Sequence, residues 1–211
     1  MSSPTHQQFI EAGMQLYPQY GYRQLSVRLV ATHAGLSSGM FHHLFASKDE
    51  FVLQILQYYY AQSFAQVDLL GVSGTPYQRL RSAVWQLACL LRDNLAWIKQ
   101  AIADCTAGIE VVDGFIRPQH RRIADDMVVL MRNCDDFGGD TAMLVQKMAF
   151  LNGAVFAPIV LLPHLLELNM YPTGMEASAP AALEDEALGL RIDWAFAALF
   201  GQAAAQEGCV E

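Results

Sequence analysis

Charged residues are scarce in this sequence. They make up 16% of the 211 residues, whereas hydrophobic residues make up 53%, and the formal net charge is −8. A composition so poor in charge excludes a disordered chain. It indicates a packed core with apolar surface left over for a pocket or a partner subunit.

The sequence also lacks the cysteine spacing of metal sites and the features of a signal peptide. Its four cysteines show no C-x-x-C pattern, and residues 1–13 have neither a basic region nor an apolar core. We therefore predict a cytoplasmic protein that takes no metal and no cofactor. The thiols of Cys89 and Cys105 are expected to be inert, because no basic neighbour in the sequence would lower their pKa.

One apolar run, residues 148–168, comes close to the length of a membrane span. It stands alone and contains Asn152, Pro158, Pro163 and His164, which disfavour a span. We interpret the run as a buried or helix-pairing segment and expect no membrane partner.

Acidic residues are nearly absent from the N-terminal segment. Residues 1–48 contain Arg23, Arg28 and Lys48 against Glu11 alone, which gives +2 and leaves −10 for residues 49–211. This segment is therefore compatible with a polyanion, although the chain as a whole is acidic.

Two helices are predicted at the start of the chain. Apolar residues at helical spacing indicate one over residues 5–20, and Gly21 ends it. Ser26 can cap the next helix by accepting an amide hydrogen of its first turn, and Gly35 ends that helix in the left-handed conformation.

Two more helices follow directly. Either Ser37 or Ser38 can cap a short helix through residue 45. Ser47 and Glu50 have the spacing of a capping box, which predicts a long helix from residue 48 to about residue 70.

The second and third of these helices have the pattern of a helix-turn-helix. Helices that cross steeply need a small residue at their contact, here Ala31, and a flexible turn, here Gly35. Leu36 and Phe41 would fill the gap between them. The residues left facing outward are Ser38, Gly39, Met40, His42 and His43.

This outward face contains no acid, which suits a phosphate backbone. Free amides at residues 37–39 and the positive end of the helix dipole can receive a phosphate, and Lys48 adds one charge nearby. So few cations per copy favour two copies on adjacent half-sites. We therefore predict a homodimer on double-stranded DNA.

Residues 9–51, "FIEAGMQLYPQYGYRQLSVRLVATHAGLSSGMFHHLFASKDEF", resemble the tetracycline-repressor (TetR) family of bacterial transcription regulators. The resemblance implies that Ser26, Val27 and Arg28 lie at a DNA-facing helix start. It also implies that residues 37–43 form the recognition helix, and that Lys48 touches phosphate.

The sequence departs from this family pattern at three positions. His42 stands where a phosphate-binding tyrosine is usual, Leu44 where a histidine is common, and Leu29 where a polar residue is usual. A histidine can also donate to phosphate, more strongly when protonated, so binding through His42 would be pH-sensitive.

Some of these residues have alternative interpretations. His42 and His43 could be ordinary surface histidines; a metal site is disfavoured because adjacent residues on a helix diverge. Met40 is either an anchor for its helix or an apolar contact to a thymine methyl group.

Helical patterns continue to the end of the chain after a loop at residues 71–76, and no stretch indicates a strand. The predicted helices cover residues 76–91, 95–109, 115–134, 141–168 and 187–205, with a loose connection at 169–186. We predict an all-α fold: a helix-turn-helix module (1–48) joined by a long helix to a helical effector-binding and dimerisation domain (49–211).

Soft and aromatic side chains on helical stripes of the larger domain favour an adaptable apolar pocket, although plain core packing explains each of them singly. The candidates are Trp85, Cys89, Cys105, His120, Met127, Met131 and Phe150. The TetR resemblance implies a pocket for a small apolar effector. His120 is either a hydrogen-bonded core residue or the polar contact of that pocket.

The last two predicted helices have the composition of a subunit interface. Small residues allow close approach and larger ones supply apolar area. The candidates are Gly153, Phe156, Ala157, Trp194, Ala198 and Leu199.

These observations favour a ligand-responsive transcriptional repressor that binds a near-palindromic operator. The alternative is a small-molecule binding or carrier protein with a vestigial helix-turn-helix. An enzyme with a helical cavity ranks third, because no nucleophile, base and orienting group can be assembled from the spacing.

Overall fold

The computed structural model describes residues 4–64, 67–134 and 140–201, and within these ranges the chain is helical and has no strand. The predicted all-α fold is confirmed. The helices are α1 (Pro4–Gln24), α2 (Val27–Ala34), α3 (Ser38–Leu44), α4 (Lys48–Phe64), α5 (Pro76–Asp93), α6 (Leu95–Thr106), α7 (Glu110–Cys134), α8 (Thr141–Leu151), α9 (Ala157–Glu167) and α10 (Asp185–Phe200).

The chain forms two compact units, each with its own apolar core. The first comprises Met1–Gln66 and Asn94–Arg121, and the second comprises Val67–Asp93 and Arg122–Glu211. Helix α6 belongs to the first unit because Trp97 stacks between two tyrosines, with ring centroids 4.6 Å from Tyr17 and 3.9 Å from Tyr59. A functional boundary at residue 48 stays a prediction, since packing alone groups α1–α4 with α6.

Gly21 interrupts α1, as the sequence predicts. Its φ of 59° and ψ of 178° are not helical, and the helical turn resumes only to Gln24. Glycine is favoured here because a side chain at this φ clashes with its own backbone.

Helix α4 is shorter than predicted. It ends at Phe64, and residues 67–70 are not helical. Two local hydrogen bonds explain the difference: the Asp68 carboxylate accepts from the Gly71 amide at 2.8 Å, and Arg79 donates to the Leu70 carbonyl at 2.9 Å. These two hydrogen bonds stabilise a turn, so the chain does not continue as a helix at this point.

The single helix predicted over residues 141–168 is interrupted. A π-helical turn, Asn152–Phe156, separates α8 from α9, and the Ala157 amide donates to the Asn152 carbonyl five residues earlier. Pro158 has no amide hydrogen to continue the regular pattern at this point.

Two boundaries near the C-terminus also differ from prediction. The connection at 169–186 contains a 3₁₀ turn, Ala179–Leu183, whose Ala179 is buried. Helix α10 begins at Asp185 and ends before Gly201, and the predicted continuation to residue 205 lies outside the described residues.

The helical segment Thr141–Glu167 has the length and apolar composition of a membrane span, with a mean hydropathy of 1.8. Only 22% of its most apolar window is buried. Leu144, Leu151, Val155 and Ile159 form its buried stripe in the core of the second unit. Four large apolar side chains of the segment, Met143, Val145, Phe150 and Leu161, are exposed and available for pairing.

Candidate nucleic-acid interface

Helix α3 is held in place by one aromatic side chain. Phe41 is 1% exposed and packs edge to face on Phe9 and Phe51, with ring centroids 5.5 and 5.0 Å away. Phe45 lies 4.9 Å from the same ring. This cluster fixes the position of α3 because a ring contacted on several sides has no room to move.

Helix α2 has the two end signals that the sequence predicts. The Ser26 hydroxyl accepts from the Leu29 amide at 3.1 Å. Gly35 adopts the left-handed conformation, with φ of 68°, and the Leu36 amide donates to the Ala31 carbonyl at 2.9 Å. These hydrogen bonds pair backbone groups at the helix ends that would otherwise have no partner. They thereby fix the turn between α2 and α3.

Of the two serines considered as the cap of α3, Ser37 is the one used. Its hydroxyl accepts from the Met40 amide at 3.3 Å. Phe41 fills the gap between the helices, as predicted, whereas Leu36 is only half-buried.

The side chains predicted to face outward do so. Met40 is 38% exposed. The other exposed members of the predicted DNA-binding set are Ser26, Arg28, Ser37, Ser38, Gly39, His42 and His43, while Val27 and Lys48 are half-buried. Neither α2 nor α3 contains an acid. Contact of these residues with DNA stays a prediction.

The start of α4 departs slightly from a regular capping box. Ser47 accepts from the Glu50 amide at 3.0 Å, but the Glu50 carboxylate accepts from Ala46 at 2.8 Å, one residue before the usual partner. Lys48, at the first position of this helix, has its ammonium group 4.4 Å from the centre of the Tyr22 ring. Partial burial lowers the pKa of Lys48, opposed by the nearby Asp49 carboxylate.

The predicted ligand residues do not gather at one place. Trp85, Cys89, Met127 and Met131 belong to the core of the second unit. Cys105 packs in the core of the first unit, and Phe150 is 45% exposed. Burial raises the pKa of the Cys89 and Cys105 thiols, in keeping with inert cysteines.

The inward-facing position predicted for His120 is wrong, because its side chain is exposed. Ile116 of the same helix packs in the first core and Ile123 in the second. His120 lies on the stretch of α7 between these two contacts, where the periodic pattern no longer indicates burial.

The second unit carries a groove of about 640 Å³ between α5 and α10. Its lining comprises Gln78, Arg81, Ser82, Trp85, Asp185, Glu186, Gly189, Leu190 and Asp193. Arg81 donates to Asp193 at 2.7 Å, and Asp185 accepts from Arg92 at 2.6 Å. The lining combines apolar surface with three acidic side chains and Arg81, whereas the sequence predicts an apolar pocket.

The predicted dimerisation residues all lie in the second unit. Trp194 is 64% exposed, and Gly153 and Ala198 are also exposed. The half-buried members of the set are Phe156, Ala157 and Leu199. An exposed tryptophan beside small residues gives apolar area without a partner in the single chain.

These features define an all-helical protein with an N-terminal helix-turn-helix, and comparison with known proteins agrees. Residues 9–55 match the family model described as bacterial regulatory proteins, tetR family. The match assigns the N-terminal segment, residues 9–55, to the helix-turn-helix of this family.

Two curated relatives match about a third of the chain. The uncharacterised HTH-type transcriptional regulator YuxN of Bacillus subtilis is 36% identical over 81 residues, which are 36% of this chain and 28% of YuxN. The HTH-type transcriptional repressor KstR2 of Mycobacterium tuberculosis is 32% identical over 75 residues, 35% of this chain and 38% of KstR2. The alignments thus span well under half the length of either relative.

The fold is shared over nearly the whole length with solved structures. A proposed transcriptional regulator from Saccharomonospora viridis, in complex with choline, has a TM-score of 0.58. It is 18% identical, and the alignment covers 87% of this chain and 97% of that one.

Proposed function

We propose that this protein is a cytoplasmic, homodimeric transcriptional repressor that binds a near-palindromic operator and releases it on binding a small effector. The observation that carries the proposal is the exposed, acid-free face of α3, held on the Phe41 cluster. The names of the relatives YuxN and KstR2 support it.

The arrangement of α2 and α3 suits insertion of α3 into the major groove. Its amides at the N-terminus and the adjacent Lys48 are suited to phosphate, so they would set the position of the helix on the backbone. Arg28, Met40 and His43 are exposed beside them and would contact base edges. His42 would add a backbone contact.

Electrophoretic mobility shift with the promoter region of the protein's own gene tests the proposal. We expect retardation of that DNA at protein concentrations that leave a scrambled fragment of equal length unshifted, with affinity falling as salt rises. Absence of sequence-selective retardation at low salt would refute the repressor and favour the binding or carrier protein.

Substitutions at Lys48 and Arg28 are expected to affect binding in different ways. Lys48→Ala should weaken binding to all sequences about equally, because a phosphate contact carries no sequence information. Arg28→Ala should relax the preference at one base position by about 1–3 kcal/mol. Binding to a set of singly substituted operators measures both, and identical profiles for the two variants would contradict this division.

We also propose that the helical second unit takes a mostly apolar effector of at most one charge. Trp85, Cys89, Met127 and Met131 supply soft apolar surface in its core, and a pocket there would open by repacking around the methionines. Cys105, His120 and Phe150 lie outside that core, so a role for them in the same pocket would require a different conformation. The choline complex of the relative from Saccharomonospora viridis supports ligand binding in this fold.

A thermal-shift screen of lipophilic compounds, followed by operator release, tests the effector. A compound that stabilises the protein should lower operator affinity by its differential binding to the two conformations, about 1–3 kcal/mol. Trp85→Ala should abolish the stabilisation, and Met175→Ala, which removes an exposed side chain outside the proposed interface, serves as the control. Compounds that raise Tm yet leave DNA binding unchanged would contradict the switch and favour the carrier protein.

A further inference from the structure

Tyr22 contacts three charged groups, each of which is far from Tyr22 in the sequence. Its ring lies under the Lys48 ammonium group, 4.4 Å from the ring centre. Its hydroxyl donates to the Asp49 carboxylate at 2.5 Å, and its backbone amide donates to the Asp104 carboxylate at 2.8 Å. All four residues belong to the first unit.

The backbone of Tyr22 is held by a buried charge on α6. Asp104 is 5% exposed and also accepts from the Gln100 amide at 3.3 Å. A β-carbon added at Gly21 would lie 2.1 Å from that same Gln100 amide nitrogen. Burial, and then the charge of Asp104, raises the pKa of Tyr17 above its ordinary range. Since this part of α1 fits so closely against α6, the Tyr22 ring has a defined position.

The hydroxyl of Tyr22 gives the ring a second attachment. Its hydrogen bond to Asp49 raises the pKa of Tyr22 to about 12, because only the protonated hydroxyl can donate this bond. Asp49 is the residue next to Lys48, and this hydrogen bond directs its carboxylate towards Tyr22. The acid that is adjacent in the sequence to the predicted phosphate contact is in this way already hydrogen-bonded.

A ring that is fixed in position can restrain the lysine above it. The ammonium group is attracted to the face of the aromatic ring, and its flexible side chain loses freedom in the free protein. Less conformational entropy of this side chain is then lost on DNA binding, because the side chain is already restrained in the free protein. The ring covers one side of the ammonium group and leaves the rest of its donors for phosphate.

We propose that Tyr22 is a positioning residue, which acts on DNA affinity through Lys48 by holding its ammonium group in place for a backbone phosphate. The inference rests on the proposed DNA-binding function. Tyr22 makes no base contact in this scheme, so its replacement changes affinity and salt dependence and leaves sequence preference unaltered.

The test is a double-mutant cycle on operator affinity with Tyr22→Leu and Lys48→Met. Tyr22→Leu is expected to weaken binding by about two- to fivefold per protomer, the range of an exposed cation–π contact. Lys48→Met should lower the salt slope by about one per protomer. In the Lys48→Met background, Tyr22→Leu should cause no further loss of affinity.

Tyr22→Phe is the matched control, because it retains the ring and removes only the hydroxyl. It should lose clearly less operator affinity than Tyr22→Leu, because the backbone bond to Asp104 still holds the ring. Thermal unfolding of each variant identifies any that do not fold, and Tyr22→Met then replaces Tyr22→Leu as the variant without a ring.

The outcomes separate this inference from the proposed function. A wild-type protein that does not bind the operator would refute both. A wild-type protein that binds, with Tyr22→Leu equally harmful whether or not Lys48 is present, would refute the positioning role alone. A loss in Tyr22→Phe as large as in Tyr22→Leu would also refute it.

Discussion

Phe41→Ala is expected to abolish operator binding, although Phe41 does not face the DNA. The ring is buried among Phe9, Phe45 and Phe51, and its removal leaves a cavity that the surrounding rings cannot fill without moving α3. A buried Phe→Ala change costs about 3–5 kcal/mol of unfolding free energy. Urea unfolding followed by circular dichroism measures this loss, and mobility shift measures the loss of binding.

Met40→Ala is the matched control for the loss of stability, since it removes the exposed neighbouring side chain on the same helix. Its unfolding free energy should stay within about 0.5 kcal/mol of the wild type. If Phe41→Ala were as stable as Met40→Ala and still bound DNA, the aromatic cluster would not be what holds the recognition helix.

Ala198→Asp is expected to convert the protein into a monomer and thereby to remove high-affinity operator binding. Ala198 is exposed in the single chain, on the helix that also exposes Trp194. In the proposed interface its replacement would bury an unpaired carboxylate, which costs several kcal/mol. Loss of the dimer then removes the second half-site contact, on which a weakly basic module depends.

Sedimentation velocity at micromolar concentration measures the oligomeric state of this variant. Ala96→Asp, an equivalent change at an exposed position of α6, should leave it unchanged. A wild-type protein that sediments as a monomer, or an Ala198→Asp variant that remains a dimer, would exclude α10 from the interface.

The N-terminal module could be predicted from the sequence because its signals are local. The cap at Ser26, the left-handed Gly35 and the interruption at Gly21 each depend on a residue type and its immediate neighbours. The continuation of α4 to residue 70 failed because the competing bond from Arg79 comes from beyond the apolar pattern. The π-helical turn accords with Pro158, which has no amide hydrogen, but the apolar pattern on either side of this proline predicts a continuous helix.

The surroundings of the candidate site depend on contacts between distant residues, so the sequence could not show them. Tyr22 and Asp104 are 82 positions apart and meet only when α6 packs on α1. The aromatic residue directly after Gly21 was the one available signal for Tyr22. His120 lies on the apolar stripe of a helical wheel. A helical wheel does not show that Ile116 packs in one core and Ile123 in the other, so it does not predict the exposure of His120 between them.

The acid-free face of α2 and α3 also bears on how quickly the protein would find DNA. Residues 49–211 carry a formal charge of −10, so a phosphate backbone repels most orientations of an approaching molecule and attracts the N-terminal segment. A larger fraction of collisions therefore brings the recognition helix towards the DNA. This bias acts over about one Debye length, roughly 10 Å at 0.1 M salt, so added salt would weaken the preference for this orientation.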